Sequence, residues 1–479
     1  MRKTMLWGFA VLYGCAAAPS YRSPAVPAPA EFRAVADSAT APAYVTAGPA
    51  LPQQPTTDDA VSETTDYWDR LADTTLSRLL QEVSRANLDV QAARARVSAA
   101  RSDRVRTLLD LTPSATVSGG YARQRIAATS FPGATAVFPD QTVWSTSVDL
   151  QWDLDLFGQI RRGVQARGAL VQVAEADRRN VEVTLEAELA SAYFALRGAQ
   201  EQLQVARQNS ANQQKTLALT HERVAAGRGS AFDTERARAQ LSSTLATIPA
   251  REAQVAAAQY RIGTLVGRSP TAVARELEQA APFPALPEVT GIANPETLVR
   301  DRPDVAATER LAAAQGAFVA AAKASYLPRV TIGGSAGYLA SEFRRVGEPA
   351  TLRYVIGPVI TWPGLNLGRV KAEVDAAGAR ERAARAQYSQ TVLAAVQDVE
   401  TTLSRYRSAR VSVERLVEAA AASERAAELA RLRYKEGATD LLAVLDAQRA
   451  ELEAQDRLAQ GRADAATAYA ALYRAVGGR

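Results

Sequence analysis

Histidine and cysteine are almost missing from this chain of 479 residues, which has one of each, His221 and Cys15. A histidine/cysteine metal site, a disulfide or a Cys-His catalytic pair within one chain would need more. A Ser-His-Asp triad would depend on His221, which falls in a predicted helical hairpin, far from the end of any strand. There is no Walker loop or Gly-x-Gly-x-x-Gly turn. We therefore expect neither enzymatic activity nor a cofactor.

Large aromatic side chains are also scarce, at 6% of residues, so few are available to fill a thick globular core. Alanine, glutamine, arginine, glutamate and leucine are abundant instead, which is typical of long helices and coiled coils. The net charge is only +5, and the charges are interspersed, which argues against nucleic-acid binding. No stretch approaches 18 uninterrupted apolar residues, so a membrane-spanning part would have to consist of strands.

The N-terminus has the pattern of a lipoprotein leader. A positive segment, residues 1–3, precedes a short apolar run that ends at Gly14 and Cys15. A small residue before the lone cysteine resembles a bacterial lipobox, so we expect residues 1–14 to be a signal peptide and Cys15 to carry acyl chains such as palmitate. An ordinary secretory leader with an incidental cysteine is the alternative. Residues 15–65, rich in alanine, proline, serine and threonine, predict an extended tether.

The body of the chain contains one large unit twice. Residues 152–158 correspond to residues 362–368, and residues 223–227 correspond to residues 433–437, both with an offset of 210 residues. Each copy begins with a helix (88–111 and 303–327) and continues with two strands, a helix of nearly 70 residues, a glycine turn and another long helix. We assign residues 66–270 to the first repeat, 271–300 to an equatorial connection and 301–479 to the second repeat. The predicted strands cover residues 113–125, 141–155, 328–340 and 351–362, and the predicted long helices cover residues 158–267 and 368–476.

The strands have the alternation of a two-faced sheet. Between Val143 and Asp155, apolar residues such as Trp144 and Val148 alternate with serine, aspartate and glutamine. Strands of roughly 12 residues, tilted by about 40°, are long enough for the apolar band of an outer-membrane barrel. Half of a soluble β-sandwich would alternate in the same way and is the alternative.

Four strands are too few to close a barrel, because the smallest membrane barrels have eight and open sheet edges are not viable in lipid. A barrel would therefore be shared between chains. Two chains would give eight strands and a plugged interior, and three would give twelve strands and a water-filled lumen. A polar strand face favours three. Helices of nearly 70 residues, roughly 100 Å long, suit a duct across a periplasm, whereas an isolated coiled-coil rod would leave the strands unexplained.

Three stretches carry a resemblance to a known family. Residues 302–314 begin Arg-Pro-Asp-Val, residues 248–270 begin Ile-Pro-Ala-Arg-Glu and end Gly-Arg-Ser-Pro, and residues 433–448 begin Arg-Tyr-x-x-Gly and end Asp-Ala-Gln. Together they resemble the TolC/OprM family of trimeric outer-membrane efflux proteins, most closely its NodT-type lipoprotein branch. The resemblance covers the chain from about residue 66 to the C-terminus.

The resemblance implies a mainly α fold, with long coiled-coil-like helices forming an α-barrel and four strands per chain contributing to a trimeric 12-stranded outer-membrane β-barrel. It implies a homotrimer, lipid-anchored in the outer membrane of a Gram-negative bacterium and extending into the periplasm. Its partners would be a periplasmic membrane-fusion adaptor and an inner-membrane pump, commonly of the resistance-nodulation-division type. The duct would passively export small toxic compounds or drugs.

The resemblance also assigns roles to residues of the second hairpin. Leu442 and Asp446 share a helix face and match positions where the family closes its periplasmic mouth with an apolar ring and an acidic ring. Seam packing by Leu442 and simple solvation of Asp446 are the alternative. Tyr434 and Asp233 match two residues that lock the hairpins together in some members, whereas Thr439 stands where an arginine would complete that lock.

The two hairpin turns match the family's contact sites for the adaptor protein. Plain turn chemistry would select the same residues, because glycine commonly ends a helix. The residues expected at these contacts are Gly227, Arg228, Gly229, Gly437, Ala438 and Thr439.

Two other functions remain open for a chain of this pattern. The outer-membrane component of a type I protein-secretion system shares the fold, and a periplasmic coiled-coil adaptor or scaffold would have no pore. The lipobox and the Arg-Pro-Asp stretch favour efflux over protein secretion.

Overall fold

The structure, a computed structural model, describes residues 67–125, 127, 139–289 and 295–478. Cys15, the predicted signal peptide at residues 1–14 and the predicted tether at residues 15–65 lie outside the described residues. The described chain divides into two compact units. Unit 1 contains residues 96–175 and 307–389, and unit 2 contains the remaining described residues.

The protein is mainly helical with one small sheet, as the sequence predicts. None of the helices in the described ranges is both long enough and apolar enough to cross a membrane. The helices are α1 (Thr74–Ala86), α2 (Leu88–Leu109), α3 (Gln159–Ala225), α4 (Ala231–Leu265), α5 (Pro270–Glu276), α6 (Pro295–Asp301), α7 (Pro303–Ala324), α8 (Leu367–Lys435) and α9 (Leu441–Ala475). The strands are β1 (Ser114–Gln124), β2 (Gln141–Asp153), β3 (Arg329–Ala340) and β4 (Leu352–Thr361).

The long helices α3 and α8 have 67 and 69 residues. The helices that precede β1 and β3 are shorter than predicted. The helix α2 ends at Leu109 rather than at residue 111, and α7 ends at Ala324 rather than at residue 327. Tight i→i+3 bonds, such as Thr112 N to Leu109 O at 2.9 Å, finish both helices. A proline follows each of these turns, and the residue before a proline is disfavoured in helical conformation.

The sheet of unit 1 is antiparallel, with its strands in the order β1-β2-β3-β4. Its register places Val117 opposite Val148, Val148 opposite Ala336 and Ala336 opposite Tyr354. Directly opposed residues share a face, so the apolar positions of all four strands form one continuous surface. This apolar face contains Ala115, Val117, Tyr121, Trp144, Val148, Leu150, Trp152, Ile332, Ala336, Tyr338, Tyr354, Ile356 and Ile360.

The other face of the sheet is polar near its centre. The Ser118 and Ser147 hydroxyl groups lie 2.8 Å apart, and both donate to the carboxylate of Asp149. The sheet therefore has the two-faced character that the alternation predicts.

Each repeat closes its strand-to-helix joint with the same bond. The indole Nε1 of Trp152, at the end of β2, donates to the carbonyl of Leu111 at 2.9 Å. The indole Nε1 of Trp362, just after β4, donates to the carbonyl of Tyr326 at 3.0 Å. Both carbonyls belong to the turn between a helix and the next strand, so each tryptophan ties the two strands of its repeat to the preceding helix.

The core of unit 2 contains a cluster of buried aromatic residues. The ring of Tyr67 stacks on Tyr469 with centroids 4.4 Å apart, and Trp68 contacts Tyr473 at 4.6 Å. The Tyr67 hydroxyl donates to the Tyr469 carbonyl at 2.9 Å, and the Tyr469 hydroxyl donates to the Tyr67 carbonyl at 3.1 Å. This reciprocal pair fixes the start of the described chain against α9.

The returning helices α4 and α9 end at equivalent polar contacts. The side-chain amide of Asn87 donates to the carbonyl of Leu265 at 2.7 Å, and the guanidinium of Arg302 donates to the carbonyl of Ala475 at 2.7 Å. Each contact satisfies a carbonyl in the last turn of a helix. Arg302 is buried and also bonds Asp304 and Asp398, which explains structurally why arginine and aspartate flank the proline of that stretch.

We expect Arg302→Lys to destabilise unit 2 by about 2 kcal/mol, because lysine cannot reproduce the forked hydrogen bonds of a buried guanidinium. The measurement is thermal unfolding of the detergent-solubilised protein, which should begin at a lower temperature. Arg300→Lys is the matched control, since Arg300 forms an exposed ion pair with Glu296. An equal effect of both changes would contradict a special role for Arg302.

Candidate functional site

The two hairpin tips in unit 2 contain the residues singled out by the sequence. At the first tip, Gly227 has a φ of +69° and ends α3, and at the second, Gly437 has a φ of +79° and ends α8. Ser230 and Asp440 then cap the next helices through their side-chain oxygens. Of the six predicted contact residues, Thr439 is half-buried, and Gly227, Arg228, Gly229, Gly437 and Ala438 are exposed.

Leu442 and Asp446 both lie on the surface of the single chain. Leu442 is 46% exposed, and the Asp446 carboxylate accepts a bond from Arg449 at 2.9 Å in an exposed pair. Their counterparts in the first hairpin are Phe232, which is 67% exposed, and Arg236, whose guanidinium lies 5.3 Å from the Phe232 ring. The first of these two surface positions is thus leucine in the second hairpin and phenylalanine in the first. The second position is acidic in the second hairpin and basic in the first.

Tyr434 is buried where the two hairpins meet. It packs against Ala237 of α4 and against Leu441, Val444 and Leu445 of α9. A tyrosine in this position joins three helices, because α8 supplies the ring and both return helices supply its surroundings.

Arg223 is the partner of Tyr434, and the sequence alone did not identify it. Its guanidinium lies 4.5 Å from the centroid of the Tyr434 ring and also donates to the Tyr434 carbonyl. This cation–π contact and hydrogen bond link α3 of the first hairpin to α8 of the second. The repeat pairs Arg223 with Arg433 of the second hairpin. Because Arg433 is exposed, the repeat marks the position but does not predict the contact with Tyr434.

Asp233, the other predicted lock residue, is engaged within its own hairpin. Its carboxylate accepts bonds from the backbone and hydroxyl of Ser230, and its backbone N–H donates to the Ser230 hydroxyl. This reciprocal arrangement is a capping box. In the described part of the chain, no hydrogen bond joins Asp233 to Tyr434. The Arg223 contact therefore occupies Tyr434 in this structure.

Within residues 67–125, 127, 139–289 and 295–478, no group of three or more histidine, cysteine, aspartate or glutamate side chains could hold a metal ion.

Comparison with known proteins identifies the family. Residues 79–268 and 294–478 match the family model described as outer membrane efflux protein. The chain is 30% identical over 460 residues to nodulation protein T of Rhizobium leguminosarum bv. viciae, covering 94% of this chain and 87% of that protein. It is 30% identical over 425 residues to the pyoverdine export outer membrane protein OpmQ of Pseudomonas aeruginosa, covering 87% of this chain and 88% of that protein.

A solved structure agrees with these sequence matches. The outer-membrane channel OprN is 34% identical to this chain and aligns with a TM-score of 0.85, over 97% of this chain and 99% of that one. The resemblance inferred from the Arg-Pro-Asp stretch and the hairpin motifs is confirmed. The family model covers both repeats, so the chain belongs to the outer membrane efflux protein family.

Proposed function

We propose that this protein is the exit duct of a tripartite efflux system, through which small toxic compounds pass passively across the periplasm and outer membrane. The family match over both repeats carries this proposal. One relative is named for the export of pyoverdine, which favours a small compound over a protein as cargo. A periplasmic adaptor and an inner-membrane pump of the resistance-nodulation-division type would supply recognition and energy.

The sheet supports a homotrimer. The order β1-β2-β3-β4 leaves β1 and β4 each with one neighbour in the chain, and unpaired strand edges are costly in lipid. Pairing β4 of one copy with β1 of the next in three copies would close a 12-stranded barrel. Its apolar face would then meet lipid, and its Ser118, Ser147 and Asp149 face would line the lumen. The helices α3, α4, α8 and α9 of three copies would form the α-barrel.

Lipidation of Cys15 would anchor the duct in the outer membrane of a Gram-negative bacterium. Several acyl chains give stable anchoring where one does not. This part of the proposal rests on the lipobox-like sequence alone, since Cys15 lies outside the described residues.

The second hairpin would supply the periplasmic gate. In a trimer, three copies of Leu442 and three of Asp446 would form two stacked rings. An apolar ring excludes water, and carboxylates in close register bind cations. The exposure of both side chains in the single chain supports this, because neither is used in the packing of its own helix pair.

Arg223 would hold this gate closed. Its contact with Tyr434 fastens α8 to α3, so the second hairpin must break a cation–π contact and a hydrogen bond before it moves from the first. The guanidinium comes from the first hairpin, whereas Thr439 stands where the family resemblance puts an arginine in the second. The exposed tips, at residues 227–229 and 437–439, would contact the adaptor protein.

The detergent-solubilised protein should be a trimer that conducts ions in planar bilayers. Chemical cross-linking and single-channel recording measure the two properties. A soluble monomer would overturn the proposal, and a trimer without conductance would favour the scaffold alternative.

Asp446→Ala should raise the conductance of the purified channel and weaken its response to divalent cations, because the change removes the ring of carboxylates. Single-channel recording over a range of cation concentrations makes the measurement. Glu436→Ala, which removes an exposed carboxylate from the turn that follows α8, serves as the control. Unchanged conductance with unchanged cation sensitivity would count against the acidic ring.

Arg223→Gln should make the amides of residues 431–445 exchange hydrogen roughly tenfold faster and should raise the conductance, because the contact of α3 with Tyr434 is lost. Hydrogen exchange followed by mass spectrometry localises the effect. Arg433→Gln is the matched control from the other repeat and should change neither property. A similar response in both variants would show that general charge, not the Tyr434 contact, is responsible.

A further inference from the structure

A layer of polar side chains is buried between α3 and α9, away from the hairpin tips. The side-chain amide of Asn209 donates to Gln455 Oε1 at 2.9 Å. Farther toward the tip, Gln448 Nε2 donates to Thr216 Oγ1 at 2.8 Å. Residue numbers rise along α3 as they fall along α9, so the two helices are antiparallel here and their register is defined by these bonds.

Gln213 and Glu451 lie between these two bonds. Gln213 is one helical turn from Asn209 and one from Thr216, and Glu451 is one turn from Gln455 and one from Gln448. The register therefore places Gln213 and Glu451 at the same level of the helix pair. They are 2% and 3% exposed, respectively.

The hydrogen-bonding capacity of this layer is not satisfied by the protein alone. Both amide atoms of Gln213, Oε1 of Gln448 and Oε2 of Glu451 have no hydrogen-bond partner among the described residues. The other carboxylate oxygen of Glu451 accepts a long bond, 3.5 Å, from Gln455. A charged carboxylate is costly in such surroundings, whereas a neutral carboxylic acid has an O–H that can donate to a nearby amide oxygen.

The charged groups that act on Glu451 come from α8. Burial raises the pKa of Glu451, the Arg431 guanidinium lowers it, and the carboxylates of Glu424 and Glu428 raise it further. Arg431 forms no ion pair with these carboxylates in the described chain; its Nε donates to the carbonyl of Ala427. The pKa of Glu451 is raised overall, which agrees with the burial of its carboxyl group beside amide atoms that lack hydrogen-bond partners.

In the described part of the chain, the charged groups that shift the pKa of Glu451 include none from α3 or α4. The α3 side chains at this level are Asn209, Gln213 and Thr216, which do not titrate. Arg251 of α4 donates to the carboxylate of Asp456, which lies five residues from Glu451 along α9, at 2.9 and 3.1 Å.

The first repeat shows that the fold does not need an acid at this position. Leu241 of α4 corresponds to Glu451 of α9 at the offset of 210 residues, and Leu241 is also buried. An apolar side chain therefore fills the equivalent place in the first hairpin. The glutamate is a property of the second hairpin alone.

We propose that Glu451 is a proton-binding site that controls how tightly α9 packs on α3. With the proton bound, the neutral carboxyl group donates its O–H to the side-chain oxygen of Gln213 or Gln448. When the proton passes to solvent, the carboxylate must either remain buried beside unpaired amide groups or reach water by separating the helices.

The packed state should be favoured at low pH. Because packing raises the pKa of Glu451 above its value in the separated state, the stabilisation is fully present below the ordinary glutamate pKa and is lost as pH rises through the raised value. Each pKa unit of this difference corresponds to a roughly tenfold change in the equilibrium between packed and separated helices. Asp446 lies five residues nearer the tip on the same helix, so opening of the duct would follow; this last step rests on the proposed function.

Hydrogen exchange of the full-length protein in detergent tests the proton site directly. Peptides covering residues 206–220 and 444–458 are compared at about pH 5 and about pH 8 for the wild-type chain, Glu451→Gln, Glu451→Leu and Glu453→Gln. Glutamine imitates the neutral carboxyl group and leucine imitates the first repeat. Glu453 is an exposed control on the same helix. Comparison at equal pH removes the intrinsic pH dependence of exchange.

The wild-type chain and Glu453→Gln should exchange at least about tenfold faster at the higher pH than Glu451→Gln and Glu451→Leu, and all four should agree at the lower pH. Equal exchange of the wild-type chain and both Glu451 variants at both pH values would overturn the proposal. Exchange of Glu453→Gln at the higher pH that is as slow as that of the Glu451 variants would also overturn it. Recording of ion conductance in planar bilayers distinguishes a failure of the proposed duct from a failure of the proposed proton site. A chain that conducts no ions contradicts the proposed duct but leaves the exchange result valid, whereas a pH-dependent exchange with a pH-independent conductance removes only the link to opening.

Discussion

The antiparallel pairing of α3 with α9 aligns the two hairpins, and most of unit 2 follows from it. Polar bonds fix its register at several levels, including Glu201 with Arg462, Asn209 with Gln455 and Thr216 with Gln448. Polar pairs of this kind fix register more strictly than an alanine-rich apolar seam, because a shift of one turn would leave buried groups without partners. The same register brings Arg223 to the end of α8, where Tyr434 is buried.

The strands and the long helices could be predicted because their signals are local. The alternation around Val148 indicates a strand without reference to any other part of the chain, and the glycines at positions 227 and 437 mark the turns. The family followed from short motifs. By contrast, the Arg223 contact and the burial of Glu451 depend on which helix lies opposite, and spacing along one helix does not contain that information. Glu451 falls in an ordinary polar stretch of sequence, so only the packing shows that it is buried.

The two copies have kept the contacts that hold each repeat together and have diverged along their hairpins. Asn87 and Arg302 cap the returning helices with different side chains but the same kind of bond. Phe232 and Arg236 stand in the first hairpin where Leu442 and Asp446 stand in the second, and Leu241 stands where Glu451 does. Packing within a repeat constrains both copies equally, so the shared contacts have a structural role. Charge and polarity along the hairpins differ between the copies, which indicates a functional role for those positions.

The indole bonds of Trp152 and Trp362 have a consequence for how such a chain could have arisen. Each bond is complete within its own copy, so a half-length ancestor would already possess the joint between its strands and its helix. The contact of Arg223 with Tyr434 needs both copies. Once the copies were fused in one polypeptide, mutations could change one side of that contact without changing the other, and the hairpins could become unequal while the joints stayed alike.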